Sequence, residues 1–222
     1  MNITDKAERD PVADLSIVDA YMRWALLASE EVVGKRGLDV VLREAGLERF
    51  IDNYPPDETR VLSGLTFGDY SRLSAELLIF FGRAGKGMLR RIGRLSAQHG
   101  IKQQGAVFGL ATALSSKLLP VPMQIKIGLT NMQNGFRKLS EAEGEQVHLQ
   151  LEDRGDRFAY IDGDCSQCAG KQADAPICLI RTGTISEALH WLTGKEFHVE
   201  ETACRAMGAP ACVWEIHKAP KD

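Results

Sequence analysis

No apolar run in this sequence reaches the roughly 20 residues that a helix needs to cross a bilayer. The nearest stretch, Gly105–Leu114, is closed off by Gln104 and Lys117. The N-terminus, Met1-Asn2-Ile3-Thr4-Asp5-Lys6, has no apolar core, so a secretory leader is not expected. A basic excess is also missing. The net charge is −3, which gives no electrostatic reason to expect nucleic acid as a direct partner. The five cysteines are odd in number and confined to the last third of the chain, which argues against a disulfide framework. These absences together predict a soluble, cytoplasmic protein without a membrane partner.

Chemistry-bearing motifs are equally sparse. The glycine-rich run Gly82–Gly87 fails as a phosphate loop, because Gly87 and not Ser or Thr follows Lys86. Helix packing explains those glycines better. His99, His148, His198 and His217 are scattered, and no Ser/His/Asp set, paired-carboxylate arrangement or nucleotide fingerprint is readable. Catalysis is therefore not the expected role. What is present is an ordinary globular balance, 44% apolar and 26% charged, so the chain should bury a core.

The pattern changes once along the chain. From about residue 14 to 140 the apolar residues recur at helical steps. Helices are expected over Asp14–Val33 and Leu38–Ile51, before a break at Pro55-Pro56. The strongest run is Tyr70–Gly100, where Leu73, Leu77, Phe81, Ala84, Met88, Ile92 and Leu95 share one face. Arg83, Lys86, Arg90 and Arg94 form a basic stripe that reads as a solvated face. Further helices are expected over Gly105–Leu118 and from Pro120 to Leu139.

After Gly144 the period falls to two. Val147, Leu149 and Leu151 alternate with polar residues, Arg154-Gly155-Asp156 turns, and Phe158–Ile161 returns. A helix over Ile185–Leu192 ends at Gly194, and strands follow at Phe197–Glu200 and Ala211–His217. Helices followed by an antiparallel sheet predict an α+β fold, the sheet packed against long helices.

The cysteines lie in this second part. Glu201 and Cys204 stand three positions apart, and Met207-Gly208-Ala209-Pro210 supplies a turn that returns Cys212. Cys178 must arrive from a distant segment. Thiolates with one carboxylate suit a tetrahedral structural zinc, a zinc knuckle. Cys165 and Cys168 are alternative metal ligands, either of which can replace Glu201. A redox-active Cys-x-x-Cys pair and an iron–sulfur cluster are the weaker readings.

The motifs Cys168-Ala169-Gly170, Pro176-Ile177-Cys178, Gly194–Gly208 and Cys212-Val213-Trp214-Glu215-Ile216 resemble the 4-vinyl-reductase, or hydrocarbon-binding, domain. Phe81–Met88 is similar to free-standing bacterial members of that family. The family includes effector-sensing domains of phenol- and xylene-responsive activators and proteins of bacteriochlorophyll synthesis. Its sensor members bind zinc through a Cys, a Glu-x-x-Cys and a final Cys. The resemblance carries those roles to Cys178, Glu201, Cys204 and Cys212. It implies a ligand-binding fold of the NO-signalling and Golgi-transport type over residues 70–222, preceded by a helical extension, 1–69, that serves dimerisation. It also implies a pocket for a hydrophobic or aromatic small molecule, for which Phe108, Phe158, Tyr160, His190 and Trp191 are candidate lining. A stand-alone sensory or carrier domain, homodimeric and zinc-stabilised, is the expected function. The alternative is a tetrapyrrole-synthesis protein, acting as a 4-vinyl reductase or its accessory. A third reading is an assembly role like that of vesicle-tethering subunits.

Overall fold

Helices fill the first two-thirds of the chain and a sheet follows, in a computed structural model that describes residues 2–107, 109 and 115–221. The first long helix, α1 (Asp19–Glu44), is broken at Gly34, whose φ of 72° only glycine adopts without cost. The gap expected between Val33 and Leu38 is thus a kink at Gly34 inside one long helix. Helix α2 (Phe67–Phe81) opens on a capping box: Asp69 N–H donates to Thr66 Oγ1 at 3.2 Å, and Thr66 N–H donates to the Asp69 carboxylate at 3.1 Å.

The uninterrupted helix expected over Tyr70–Gly100 is two helices. Gly82, at φ 53°, ends α2, and α3 (Gly85–Gln104) starts after one tight turn. The break resets the phase of the buried face. Leu89 is buried where the unbroken periodicity placed Met88. The prolines at 120 and 122 open α4 (Val121–Ala142), as proline favours a first helical turn. The helix expected over Gly105–Leu118 lies in part outside the described residues.

Helix α5 (Leu179–Thr193) is buried nearly all round and ends on Gly194 in the left-handed conformation. It crosses α3 with backbone against backbone. A Cβ on Gly93 would lie 2.8 Å from the Ile180 carbonyl carbon, and one on Gly183 would lie 2.9 Å from that of Arg90. Thr184 Oγ1 donates to the Gly93 carbonyl at 3.3 Å across the same crossing. Arg94, from the predicted basic stripe, is held by Glu187 of α5 and by Glu196.

A small sheet pairs β1 (Ile3–Asp5) with β4 (Lys171–Ala173). The main sheet consists of β2 (Leu149–Asp153), β3 (Arg157–Asp162), β5 (Phe197–Ala203) and β6 (Cys212–Pro220). It is antiparallel, in the order β2-β3-β6-β5. The inward faces of β3 and β6 carry Phe158, Tyr160, Trp214 and Ile216, all buried. The segment expected as a separate extension, 1–69, shares one hydrophobic cluster with the rest: Trp24, Leu38 and Leu42 of α1 belong with Ile92, Leu189 and Trp214. No helix among the described residues is long and apolar enough to cross a membrane.

Candidate metal centre and ligand cleft

All five cysteines are fully buried and none is disulfide-bonded. Four separate pieces of backbone bring them together. Cys165 and Cys168 sit in the turn after β3, Cys178 caps the start of α5, Cys204 follows β5, and Cys212 opens β6 opposite Asp162 of β3. Glu201 and Cys204 are an odd number of residues apart, which in a regular strand would set them on opposite faces. A bulge between Glu201 and Ala203 re-aims the chain, so that both are buried on the cluster side.

The ligand atoms fall into two groups, each with all members within 4.8 Å of one another: Cys165, Cys168, Cys178 and Cys212, and Cys178, Glu201, Cys204 and Cys212. The sequence-derived set and its alternative ligands are therefore both assembled, and they share Cys178 and Cys212. Sulfur–sulfur separations are 3.6 Å for Cys165–Cys178, 3.5 Å for Cys168–Cys212, 3.8 Å for Cys178–Cys204 and 3.7 Å for Cys178–Cys212. Thiolates bound at about 2.3 Å around a tetrahedral zinc lie about 3.8 Å apart.

Backbone and side-chain donors support the sulfurs and their carriers. The Arg205 N–H points at Cys212 Sγ from 3.3 Å, and the Cys178 N–H donates to Glu201 Oε2 at 2.9 Å. Trp214 Nε1 donates to Thr182 Oγ1 at 3.1 Å, and that hydroxyl donates to the Cys178 carbonyl. Burial, then the neighbouring thiols, push the Cys178 thiol up. Burial, then Cys204 and Cys165, push the Glu201 carboxyl up to about 9.

Asp10 clasps both cysteine turns from outside. Its carboxylate accepts from the Gly170 N–H at 3.1 Å, beyond Cys168, and from Arg205 Nη2 at 3.0 Å, beyond Cys204, with Lys6 Nζ at 3.0 Å. Burial acts to raise its pKa. The Gly170 N–H, Lys6 and Arg205 outweigh that and hold the carboxyl well below the usual carboxylate range. A depressed folded-state pKa contributes stability above the unfolded value of about 3.9, and that stability is lost as pH falls below it. Asp10→Asn should therefore cost about 2 kcal/mol at pH 7. It should also flatten the fall in stability below pH 4, measured by urea unfolding. An acid limb parallel to that of the wild type would show that Asp10 has no such role.

A cleft of about 90 Å³, open at its mouth, lies between α1, α3, α4 and α5. Its walls are apolar and include Trp24, Met132, Phe136 and Trp191, while Gly100, Gly128 and Ala188 leave the room. Tyr21 and Phe136 separate it from a second, more polar hollow bordered by Asp162, Ser166 and Arg181. Arg181 is buried, lies 4.4 Å over the Phe136 ring and stands 3.6 Å from the Asp162 carboxylate. Its Nε and Nη1 meet no hydrogen-bond partner among the described residues.

Of the lining residues expected from the sequence, Trp191 borders the larger cleft. Phe158 and Tyr160 lie within the sheet core, the latter edge-on to Trp214 at 6.3 Å. His190 is exposed and pairs with Glu196, and Phe108 lies outside the described residues. The small residues that open the cleft carried no chemical signal of their own.

Set against solved structures, the architecture is of one recognisable class. An oxygen-binding H-NOX domain related to soluble guanylate cyclases aligns over 92% of this chain and 96% of its own, at 12% identity and a TM-score of 0.54. An Fe(II) unliganded H-NOX protein from K. algicida aligns over 93% and 97%, at 9% identity and a TM-score of 0.58. At such identities the likeness is one of fold. Within that fold, residues 163–218 match the family model of the 4-vinyl-reductase domain, the stretch that holds all five cysteines. No curated protein matches the chain.

Proposed function

We propose that the protein is a binding module for a hydrophobic, aromatic small molecule, with a structural zinc clamping the sheet to α5 beside the ligand. The observation that carries the first half is the four-helix cleft, apolar along Trp24, Phe136 and Trp191. Small-molecule sites combine apolar walls with a few polar groups that set orientation. Asn131 on the wall and Arg181 behind Phe136 supply that polarity. For the second half, Cys178, Glu201, Cys204 and Cys212 are the clamp ligands. A dication among them reverses the upward pKa shifts of Cys178 and Glu201, because the charged forms are the ones that ligate.

Haem does not fit the cleft. Among the described residues no histidine or cysteine borders it, and burial raises the pKa of Tyr21 and so disfavours a phenolate ligand. Sensing or carriage of the guest, without chemistry, accords with that wall.

Thermal denaturation against a panel of phenols, alkylbenzenes, fatty acids and porphyrins tests the binding reading. A ligand present at about 100 times its Kd should stabilise the fold by about 2.7 kcal/mol. Ala188→Phe, which fills the cleft, should abolish that shift while keeping the fold. A panel in which nothing stabilises the protein rejects the reading. We also propose a homodimer through the N-terminal helices, where Val40, Ile79 and Phe80 are exposed. Sedimentation at micromolar concentration should then show twice the 24.4 kDa chain mass, and a monomer there would refute it.

A further inference from the structure

Six ligand groups meet in this buried cluster, and one tetrahedral ion uses four of them. An ion held by the four cysteines of the first group leaves Cys204 and Glu201 over, and an ion held by the set with Glu201 leaves Cys165 and Cys168 over. Buried polar groups in native proteins are paired, and Glu201 Oε1 meets no hydrogen-bond partner among the described residues. Either single occupancy leaves two of the six groups without a metal.

We propose that the cluster holds two zinc ions: one bound by Cys165, Cys168, Cys178 and Cys212, the other by Cys178, Glu201, Cys204 and Cys212, with the thiolates of Cys178 and Cys212 bridging. The inference rests on the clamp reading above and extends it from one ion to two.

The geometry is that of two tetrahedra sharing an edge. Cys178 and Cys212, 3.7 Å apart, form the shared edge. Cys165 approaches Cys178 to 3.6 Å and Cys168 approaches Cys212 to 3.5 Å, while Cys204 stands 3.8 Å from Cys178 in the other group. The six groups do not form one set within 4.8 Å. They form two, hinged on that pair. Local polarity offsets part of the burial cost at both bridging sulfurs. Cys212 receives the Arg205 N–H, and Cys178 sits at the N-terminus of α5, where the helix dipole favours a thiolate.

The charge balance permits two ions. Unligated thiols stay protonated, whereas all six groups acting as ligands would carry six negative charges. Two dications leave a residue small enough for Arg181 and Arg205, which flank the cluster, to offset. Each cysteine turn then has its own work. Cys165–Cys168, closed by Gly170 at φ 71°, holds one ion, and Cys204–Gly208, closed at φ 90°, holds the other.

Native mass spectrometry of the full chain, purified from zinc-supplemented medium, should show two zinc ions per chain. Cys165→Ser combined with Cys168→Ser should halve the metal content to one, and so should Cys204→Ser combined with Glu201→Gln. Wild-type protein loaded with cadmium-113 should give two NMR resonances, which keeps the test independent of whether the variants fold. One zinc per chain and one resonance would overturn the two-ion proposal and leave the single clamp standing. No metal would overturn both.

Discussion

Cys212→Ser should strip the protein of metal and lower its stability by several kcal/mol, on the order of 5. Cys212 and Cys178 belong to both ligand groups, so neither loss can be made good by a spare cysteine. A metal there would matter because of what it joins. Its candidate ligands come from four separate segments, the turn after β3, the start of α5, the end of β5 and the start of β6. A cross-link of that kind acts on the whole fold, as a local cap does not. Serine keeps most of the volume, so the loss is one of ligation and not of packing. The control is chelation. Once both proteins are metal-free, the wild type and Cys212→Ser should melt at nearly the same temperature. If the variant remains less stable by the full amount after chelation, its defect is packing and the clamp is not the cause.

Gly183→Ala should cost about 3–5 kcal/mol, among the largest effects of any single methyl group in the molecule. The added carbon would meet the Arg90 carbonyl carbon at 2.9 Å, with its oxygen closer still, and backbone cannot rotate aside as a side chain does. Helices α3 and α5 would have to separate. Both wall the cleft, through Ala97 and Gly100 on one side and Thr184 and Ala188 on the other, so ligand binding should weaken together with stability. Gly87→Ala supplies the opposite sign. Gly87 is exposed within α3 with nothing near its absent Cβ, and alanine there should stabilise by up to about 1 kcal/mol. Denaturant titration of both variants decides the matter. Equal small effects would mean that the crossing relaxes freely.

The contrast between these glycines shows what the amino-acid order could reveal. The run from Gly82 to Gly93 reads as a packing device, but its members have different tasks. Gly82 breaks the helix, Gly87 does little, and Gly93 lets α3 touch α5. That division depends on which neighbour arrives, and local sequence does not encode it. The strands after residue 147 were readable because alternation is a local property. The pairing of Ile3–Asp5 with Lys171–Ala173 was not, since three residues have no period and the pairing spans most of the chain.

The sulfur cluster was legible for a simple reason. All five cysteines fall in the last third of the chain, and such clustering can be read directly from the sequence. Its full membership was not, because the bulge in β5 and the fold of the Cys165 turn decide which sulfurs meet. The cleft was least legible of all. Aromatic residues suggested Phe158 and Tyr160, yet those close the sheet core, and the cleft owes its room to Gly100, Gly128 and Ala188. Space is made by atoms that are missing, and a search for chemical groups passes over it.

We propose that bound zinc holds the fold together, and a melting curve recorded before and after its removal decides the matter. Chelated protein should melt far below the untreated sample and recover its original transition when zinc alone is returned. An unchanged melting temperature after complete removal of metal would contradict the claim outright.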